Sequence, residues 1–190
     1  MSDNEPKQDL ILVVLETSHI QKYIFGSNRL KENVGASYLV AAATEEWVHD
    51  VIFQLDISHN LDEPGFLNNT IESNDLDVEI LYCGGGNAVL LFRYDMIAKS
   101  FISILSRKAL MEAPGLQLTF HKEEFNWHNA SLSEAVGDAL GVLKTQRSHQ
   151  PPRTGIAGLG VTTMCASTSL PATMMDKDPD GNWQAISAEV

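Results

Sequence analysis

Four consecutive residues, Gly84-Gly85-Gly86-Asn87, separate two short apolar runs and combine a turn with exposed backbone. Glycine adopts positive φ angles without steric cost, so the run predicts a tight turn. Backbone N–H groups that no Cβ covers can also face an anion, and the Asn87 side chain would add a hydrogen bond. The residue types therefore support two interpretations: a turn with no further role, or an anion-binding loop.

Two polar residues at the end of the first apolar run, Glu16 and Ser18, are the other candidate ligand contacts. Glu16 is either a ligand-facing carboxylate or a solvent-exposed residue at the end of a strand. Ser18 is a suitable N-cap for a helix that begins near His19, and this structural role is favoured over a ligand contact.

Other reactive side chains do not combine into a catalytic or metal site. His49 and Asp50 are adjacent on a predicted helix, but no further histidine and aspartate stand at a useful spacing, so a chance surface pair is favoured. Serine, histidine and aspartate are all present without a nucleophile-elbow sequence, so nothing supports a hydrolytic triad. The two cysteines, Cys83 and Cys165, lie far apart, which favours reduced thiols over a disulfide or a zinc site.

The charge balance narrows the classes of partner. The chain has 13 basic and 25 acidic side chains, giving a net charge of −12. It is therefore poorly suited to a long nucleic-acid footprint, because phosphate neutralisation supplies most of that affinity. Five basic residues form either a local basic patch or, as favoured here, a set of solvated surface charges: Arg29, Lys31, Lys144, Arg147 and Arg153.

Composition and hydropathy place the chain among globular proteins. Apolar residues make up 44% of its 190 residues and charged residues 20%, which are ordinary globular values. No apolar run approaches the ~20 residues of a membrane span. The polar residues 1–9 lack the basic and apolar regions of a secretion signal, so we expect a cytoplasmic protein with no membrane contact.

The elements that would position the candidate residues alternate between strands and helices. Residues 10–15 form an apolar run rich in β-branched side chains, which predicts a strand buried on both faces. Residues 78–83 and 88–92 flank the glycine turn and predict a β-hairpin. The remaining predicted elements are a strand over 116–121 and helices over 19–31, 35–54, 95–111 and 132–145.

This order predicts an α+β fold of the ferredoxin-like, βαββαβ type with an extra C-terminal helix. Right-handed crossovers would place the first strand beside the hairpin in the middle of one antiparallel sheet, with helices on one face. Residues 1–9 are expected to be flexible and residues 56–77 to form a surface insertion. Residues 148–190 read as an extended Gly/Ser/Thr-rich tail, with an exposed loop over 176–182, that begins a region continuing past residue 190.

The segment after the first strand resembles the palm domain of the large subunit of type III CRISPR effector complexes. The residues that carry the resemblance, in order, are Ser18, Ile20, Gln21, Tyr23, Ile24, Phe25, Leu30, Gly35 and Ser37. The hairpin from Tyr82 to Asn87 is similar to the hairpin of that family, and residues 165–172 are similar to a further family segment. The resemblance covers about residues 10–145 and implies a palm domain over 10–147, with the fold of nucleotide cyclases and nucleic-acid polymerases.

The hairpin departs from the pattern of an active palm. Such palms bind two divalent metal ions with carboxylates on the first strand and in a Gly-Gly-Asp-Asp or Gly-Gly-Asp-Glu hairpin. Here Gly86 and Asn87 occupy the two acidic positions, and Glu16 is the one remaining candidate metal ligand. One carboxylate does not hold a two-metal centre. The resemblance is therefore to the family's first palm, which lacks the catalytic pair, or to a degenerate relative, and no residue is assigned a catalytic role.

The resemblance implies a nucleotide-binding, catalytically incomplete palm of a CRISPR-type or related antiviral signalling protein. Its nucleotide contacts would be Glu16, Ser18, Gly84, Gly85, Gly86 and Asn87, with ATP or another nucleotide as ligand and Mg²⁺ as its accompanying cofactor. A second palm would make cyclic oligoadenylates from ATP, and that palm or other effector-complex subunits would be the partners, with RNA contacted indirectly. Two alternatives remain: a scaffold domain without nucleotide binding, and an active cyclase that uses Glu16 with an acid from elsewhere.

Overall fold

The computed structural model describes residues 9–62, 65–66, 68–72, 75–149, 161–178 and 180–188. The strands are β1 (Leu10–Ser18), β2 (Leu61–Asp62), β3 (Gly65–Phe66), β4 (Val78–Gly84), β5 (Asn87–Phe92), β6 (Gln117–Phe125), β7 (Met174–Lys177) and β8 (Trp183–Ile186). The helices are α1 (Ile20–Ile24), α2 (Leu30–Thr44), α3 (Glu46–Leu55), α4 (Asp95–Glu112) and α5 (Leu132–His149). None of the described helices is both long and apolar enough to cross a membrane.

The main sheet has four strands in the order β4-β5-β1-β6, and every neighbouring pair is antiparallel. Val14 of β1 lies opposite Val89 of β5 on one side and His121 of β6 on the other. The prediction of one antiparallel sheet with the first strand beside the hairpin is confirmed. Strand β6 continues to Phe125, four positions further than the alternating pattern indicated, because it stays paired with β1 as far as Leu10.

One face of β1 packs against the helices between the strands. Ile11, Val13 and Leu15 point to this face and are buried with the inward side chains of α2, α3 and α4. Trp47 and Phe101 are the largest buried side chains that these helices contribute. Alternate residues of a strand point to opposite faces, so the other apolar side chains of β1 lie on the second face of the sheet and need another element to cover them.

Helix α5 provides that second cover. Leu12 and Val14 pack with Ala139 and Leu143 of α5, and all four side chains are fully buried. The expectation that helices cover one face of the sheet is therefore wrong. The apolar repeat of residues 132–145 predicted a helix, but it did not reveal which face of the sheet would receive it.

The helical region after β1 is divided differently from the prediction. Helix α1 is only five residues long, and α2 begins at Leu30 and runs straight through Gly35. A Cβ at Gly35 would meet nothing within 4 Å, so this glycine is an exposed helical position and marks no boundary. The break between α2 and α3 falls instead at Glu45, whose φ and ψ of −132° and −78° are not helical.

Residues 58–60 run beside β4 on the side away from β5. His59 pairs with Val78 in a parallel bridge, and the Asn60 side chain binds the backbone of Ile80 twice. Its Oδ1 accepts from the Ile80 N–H at 2.8 Å, and its Nδ2 donates to the Ile80 carbonyl at 3.0 Å. Further along the expected insertion, Ile71 is buried in the core between the sheet and α5.

The C-terminal part of the chain contains a β-hairpin that the sequence did not predict. Strands β7 and β8 pair antiparallel, and the Asp178 side chain accepts from the backbone N–H groups of Asp180 and Asn182 in the turn between them. The predicted loop over 176–182 is thus wrong at its first two residues, which belong to β7, and its end at residue 182 is correct. All of β7 is exposed, so its sequence lacks the apolar alternation that indicates a strand. Residues 1–8 and 150–160, where a flexible start and an extended tail were predicted, lie outside the described residues.

Candidate functional site

The glycine hairpin is a two-residue turn that closes β4 onto β5. Gly84 pairs with Asn87, and the turn residues Gly85 and Gly86 have φ angles of 60° and 90°. Positive φ at both central positions is the backbone of a type I′ turn, whose twist matches that of the flanking strands. The prediction of a glycine hairpin is confirmed.

The backbone of Gly86 is tied to the body of the domain. Its N–H donates to Oγ1 of Thr44 at 3.2 Å, and its carbonyl accepts from the N–H of Thr17 at 2.7 Å. Glycine is favoured here by the positive φ of 90°, and a Cβ on Gly86 would also lie 2.8 Å from Cδ1 of Ile20, whose side chain would have to shift. The expectation of an uncovered N–H group is therefore wrong at Gly86, because Thr44 already occupies that donor.

Glu16 and Asn87 lie directly opposite each other on β1 and β5. Directly paired residues project to the same face of a sheet, and here that face is the one covered by α5. Arg147, in the last turn of α5, reaches this position and places its Nη1 atom 2.7 Å from Oε1 of Glu16. The acid at the end of the first strand is therefore neutralised by a residue 131 positions later in the chain.

A cleft of about 530 Å³ opens beside this pair. We call it the hairpin cleft, and its lining consists of Glu16, Thr17, His19, Ile20, Gln21, Lys22, Gly86, Asn87 and Arg147. Of the six predicted contacts, the structure brings Glu16, Gly86 and Asn87 together in its lining. Gly84 and Gly85 belong to the same hairpin, but they do not line the cleft.

Ser18 stands apart from the hairpin cleft. It is buried, and its hydroxyl lies 3.2 Å from Oγ1 of Thr119 on β6. The prediction that Ser18 caps the following helix is wrong, since His19 is the N-cap residue, with a left-handed φ of 57° and no side-chain cap. Ser18 instead lines a neighbouring groove of about 170 Å³ that Thr168 helps to close.

The hairpin cleft carries more positive than negative charge. Lys22 and Arg147 contribute two cations, whereas Glu16 is the one acid in its lining. This local balance is opposite in sign to the chain as a whole, whose net charge is −12. The excess of cations favours an anionic ligand. Arg147 was one of five candidates for a basic patch, but no local sequence signal linked it or Lys22 to the hairpin.

Thr17 adds a buried polar atom at the same place. The residue is 2% exposed and lines the hairpin cleft, while its hydroxyl has no hydrogen-bond partner among the described residues. Buried hydroxyl groups are almost always satisfied, because an unpaired one costs roughly 1–3 kcal/mol. The free hydroxyl marks this end of β1 as a position where the protein alone leaves hydrogen bonding incomplete.

The lining of the cleft does not fit a magnesium site. Magnesium takes six oxygen ligands in octahedral geometry, and its protein ligands are usually carboxylates. Glu16 is the one carboxylate of the lining, Arg147 already occupies it, and the opposite residue Asn87 offers a neutral amide. Among the described residues, no group of three or more His, Cys, Asp or Glu side chains could hold a metal ion.

His49 and Cys83, at the other side of the hairpin, form a neutral pair. Nε2 of His49 lies 3.3 Å from Sγ of Cys83. Burial lowers the pKa of His49, and burial together with the charge of Glu45 raises the pKa of Cys83. Both shifts favour the uncharged forms, so the thiol is not activated as a nucleophile. Asp50 points elsewhere and pairs with Lys108 at 2.9 Å.

Comparison with known proteins was informative only at the level of structure. No family model matches the chain, and no curated protein matches it. The similar solved structures include a Csm1–Csm4 cassette in complex with cA4, with 14% identity, a TM-score of 0.53, and coverage of 74% of this chain and 19% of that one. A Csm1–Csm4 cassette in complex with one ATP has 15% identity and a TM-score of 0.53, and the match covers 79% of this chain and 21% of that one. Csm1 in T. onnurineus has 14% identity and a TM-score of 0.52, and the match covers 76% of this chain and 20% of that one.

These structures are of Csm1, the large subunit in type III CRISPR, which is the subunit that the sequence resembles. The chain spans about a fifth of the length of each Csm1 structure it matches. At this level of identity the similarity shows the fold alone. It confirms the predicted α+β fold, whose one antiparallel main sheet has the ferredoxin-like strand order.

Proposed function

We propose that this chain is a nucleotide-binding, catalytically incomplete palm domain of a CRISPR-type or related antiviral signalling protein. One observation carries the proposal. In a palm fold, the end of the first strand and the hairpin meet at a cation-rich cleft, but the residue opposite Glu16 is the amide Asn87. The position of the cleft and its excess of cations support a nucleotide site, and its lining lacks the pair of carboxylates that catalysis requires.

The hairpin cleft can accept a phosphorylated ligand. Its volume of about 530 Å³ lies within the usual ~300–1,000 Å³ range of small-molecule sites. Lys22 and Arg147 supply positive charge for phosphate groups, and the amides of Gln21 and Asn87 supply directional hydrogen bonds. Some of the similar Csm1–Csm4 cassettes were solved in complex with ATP or cyclic nucleotides, which supports a nucleotide as the ligand class.

The same residues argue against chemistry on this chain. Phosphoryl transfer depends on positioned charges, chiefly metal ions, that neutralise the oxygens of the transferring group. Asn87 cannot take the place of a carboxylate ligand, and the single acid Glu16 is paired with Arg147. We therefore propose that a second palm, in the same assembly, carries the two-metal centre and makes cyclic oligoadenylates from ATP.

A surface for such a partner lies next to the hairpin cleft along the chain. Helix α1 lines the cleft and leads to Phe25, after which Leu30, Val34 and Tyr38 follow on one side of α2. These four large side chains are between 60% and 78% exposed. Several large apolar side chains exposed at neighbouring positions are typical of an interaction surface. A partner palm seated on it would complete a cleft of which this chain provides one half.

Calorimetric titration of the chain with ATP tests the proposal. A half-site should bind weakly, with a Kd on the order of 0.1–1 mM, or about −4 to −5 kcal/mol. Lys22→Ala should weaken binding severalfold by removing a phosphate contact, whereas Lys99→Ala, on the exposed surface of α4, should leave it unchanged. Incubation with ATP and Mg²⁺ or Mn²⁺ should give no cyclic product.

A scaffold without nucleotide binding is the second candidate, and one observation favours it. Two polar groups at the cleft already have partners within the chain: the N–H of Gly86 binds Thr44, and the carboxylate of Glu16 binds Arg147. If no ATP binds at millimolar concentration and Lys22→Ala behaves like Lys99→Ala, the scaffold becomes the better account. Cyclic product from the purified chain, abolished by Glu16→Ala, would instead establish an active cyclase.

A further inference from the structure

We infer that the guanidinium group of Arg147 occupies the position of a divalent cation in the hairpin cleft, so that phosphate-bearing ligands bind there without metal. The inference rests on the proposed function and specifies its chemistry. In this arrangement Arg147 contacts the carboxylate of Glu16 and a phosphate of the ligand, and its positive charge offsets the negative charge of both.

The geometry of the ion pair supports this role. Arg147 uses Nη1 to contact Oε1 of Glu16 at 2.7 Å, and this is its one ion pair among the described residues. A guanidinium group carries five N–H donors in a planar fork, so one contact leaves further donors for a second anion. The Glu16 side chain is 18% exposed and that of Arg147 is 39% exposed, so the cation is the more open of the two to the cleft.

Helix α5 holds Arg147 in place from the core side. Leu143, one turn earlier and on the same side of the helix, is fully buried against the sheet. This anchor directs Arg147 toward the end of β1, where Glu16 meets it. The cation is thus fixed to the fold by helix packing, and it needs no ligand to bring it to the cleft.

A metal ion would meet two obstacles at the same position. It would have to displace Arg147 from the one carboxylate of the lining, and it would face the positive charges of Arg147 and Lys22. Repulsion between like charges a few ångströms apart is costly wherever water is partly excluded. Free ATP, which is more negative than its magnesium complex, should therefore be the preferred form of the ligand.

The test compares two probes, ATP and inorganic tripolyphosphate, in excess EDTA and in excess MgCl₂. Calorimetry should show binding in EDTA at least as tight as in MgCl₂. Arg147→Ala should weaken binding of both probes in EDTA by roughly tenfold or more, because it removes charged hydrogen bonds to phosphate. Lys144→Ala, an exposed position of the same helix, should leave both affinities unchanged.

Two further variants separate a lost contact from a lost fold. Arg147→Lys keeps the charge and should retain part of the affinity, while circular dichroism checks that each variant keeps its helices. Glu16→Gln should weaken metal-free binding less than Arg147→Ala does, because the packing of α5 still holds Arg147 at the cleft. A site that binds ATP only with MgCl₂ would overturn the inference but leave the proposed function standing. Failure of both probes to bind in either buffer would overturn both, and tripolyphosphate binding without ATP binding would overturn only the nucleotide assignment.

Discussion

Oγ1 of Thr44, at the end of α2, accepts a 3.2 Å hydrogen bond from the N–H of Gly86 at the tip of the hairpin, 42 residues later in the chain. Thr44 is fully buried. Its hydroxyl can also donate to the carbonyls of Val40 and Ala41, each 3.4 Å away. A single side chain thus connects the first helical layer to the turn that borders the cleft.

We predict that Thr44→Val destabilises the domain, because it leaves the buried N–H of Gly86 without an acceptor. The loss should be about 1–3 kcal/mol in the free energy of unfolding, measured by urea denaturation. Thr44→Ser keeps the hydroxyl and should recover most of that difference. Equal stability of the valine and serine variants would show that the hydrogen bond contributes nothing.

Gly86→Ala should also destabilise the domain. The added Cβ would lie 2.8 Å from Cδ1 of Ile20, and the φ of 90° is unfavourable for alanine. Together these effects should cost about 1–3 kcal/mol. Gly137→Ala is the matched control, because this exposed position of α5 has nothing within 4 Å of its Cβ. The control should be neutral or stabilising by up to about 1 kcal/mol, since alanine favours helix.

Asn60→Ala should loosen the outer side of β4. The substitution removes both hydrogen bonds to the backbone of Ile80, and Asn60 is only 4% exposed, so water cannot fully replace them. We expect a loss of about 1–3 kcal/mol in urea denaturation and faster hydrogen exchange at Ile80. Asn129→Ala, at an exposed loop position, should change neither measurement.

The pair of Glu16 and Arg147 should make only a modest contribution to stability. Both side chains are partly exposed, and such pairs typically contribute about 0.2–1 kcal/mol. A double-mutant cycle of Glu16→Gln and Arg147→Gln should give a coupling energy in that range, which falls as salt is added. A much larger coupling energy would mean that the pair serves folding as well as the cleft.

Cys165 should make the stability of the domain depend on pH. Burial alone would raise the pKa of this thiol, but hydrogen bonds from the hydroxyl and backbone N–H groups of Ser167 and Thr168 lower it to about 6 from 9.0. The folded state therefore holds the thiolate more readily than the unfolded state does. Its contribution to stability is complete above pH 9 and is lost as the pH falls through about 6.

Urea midpoints measured at several pH values between 6 and 9 check this dependence. The parent chain should become more stable as the pH rises across this interval, and Cys165→Ser should remove that part of the slope. Cys83→Ser is the matched control, because burial raises the pKa of the Cys83 thiol and keeps it protonated there. Parallel curves for the parent and Cys165→Ser would contradict the prediction.

The sequence predicted those parts of the fold that depend on neighbouring residues. Strand β1 and the β4–β5 hairpin are short apolar runs bounded by polar or glycine residues, and each was placed correctly. The side of the sheet that receives α5 depends on packing between distant segments, and no local pattern encodes it. Strands β7 and β8 were not predicted because neither shows the alternation of apolar and polar residues that indicates a strand. All four residues of β7 are exposed, and only Ile186 of β8 is buried.

The candidate site was predictable only where it follows the hairpin. Glu16, Gly86 and Asn87 were found from the end of a strand and a glycine run, and they do line one cleft. The roles of Arg147 and Thr44 could not be found from the sequence, because their partners Glu16 and Gly86 lie 131 and 42 residues away along the chain. Ser18 was assigned to the site because the end of the first strand and the glycine turn were expected at the same edge of the sheet, but it lines the neighbouring groove.

The segment of residues 58–60 beside β4 also affects where a further strand could add to the main sheet. Open strand edges invite intermolecular strand addition and aggregation, and the outer edge of β4 is blocked where His59 and Asn60 occupy its backbone. Within the described residues, β6 is the sheet's other edge, and it carries the alternating charges of Lys122 and Glu123. Addition of a further strand is therefore disfavoured along the covered part of β4, and alongside β6 it would have to accommodate charged side chains.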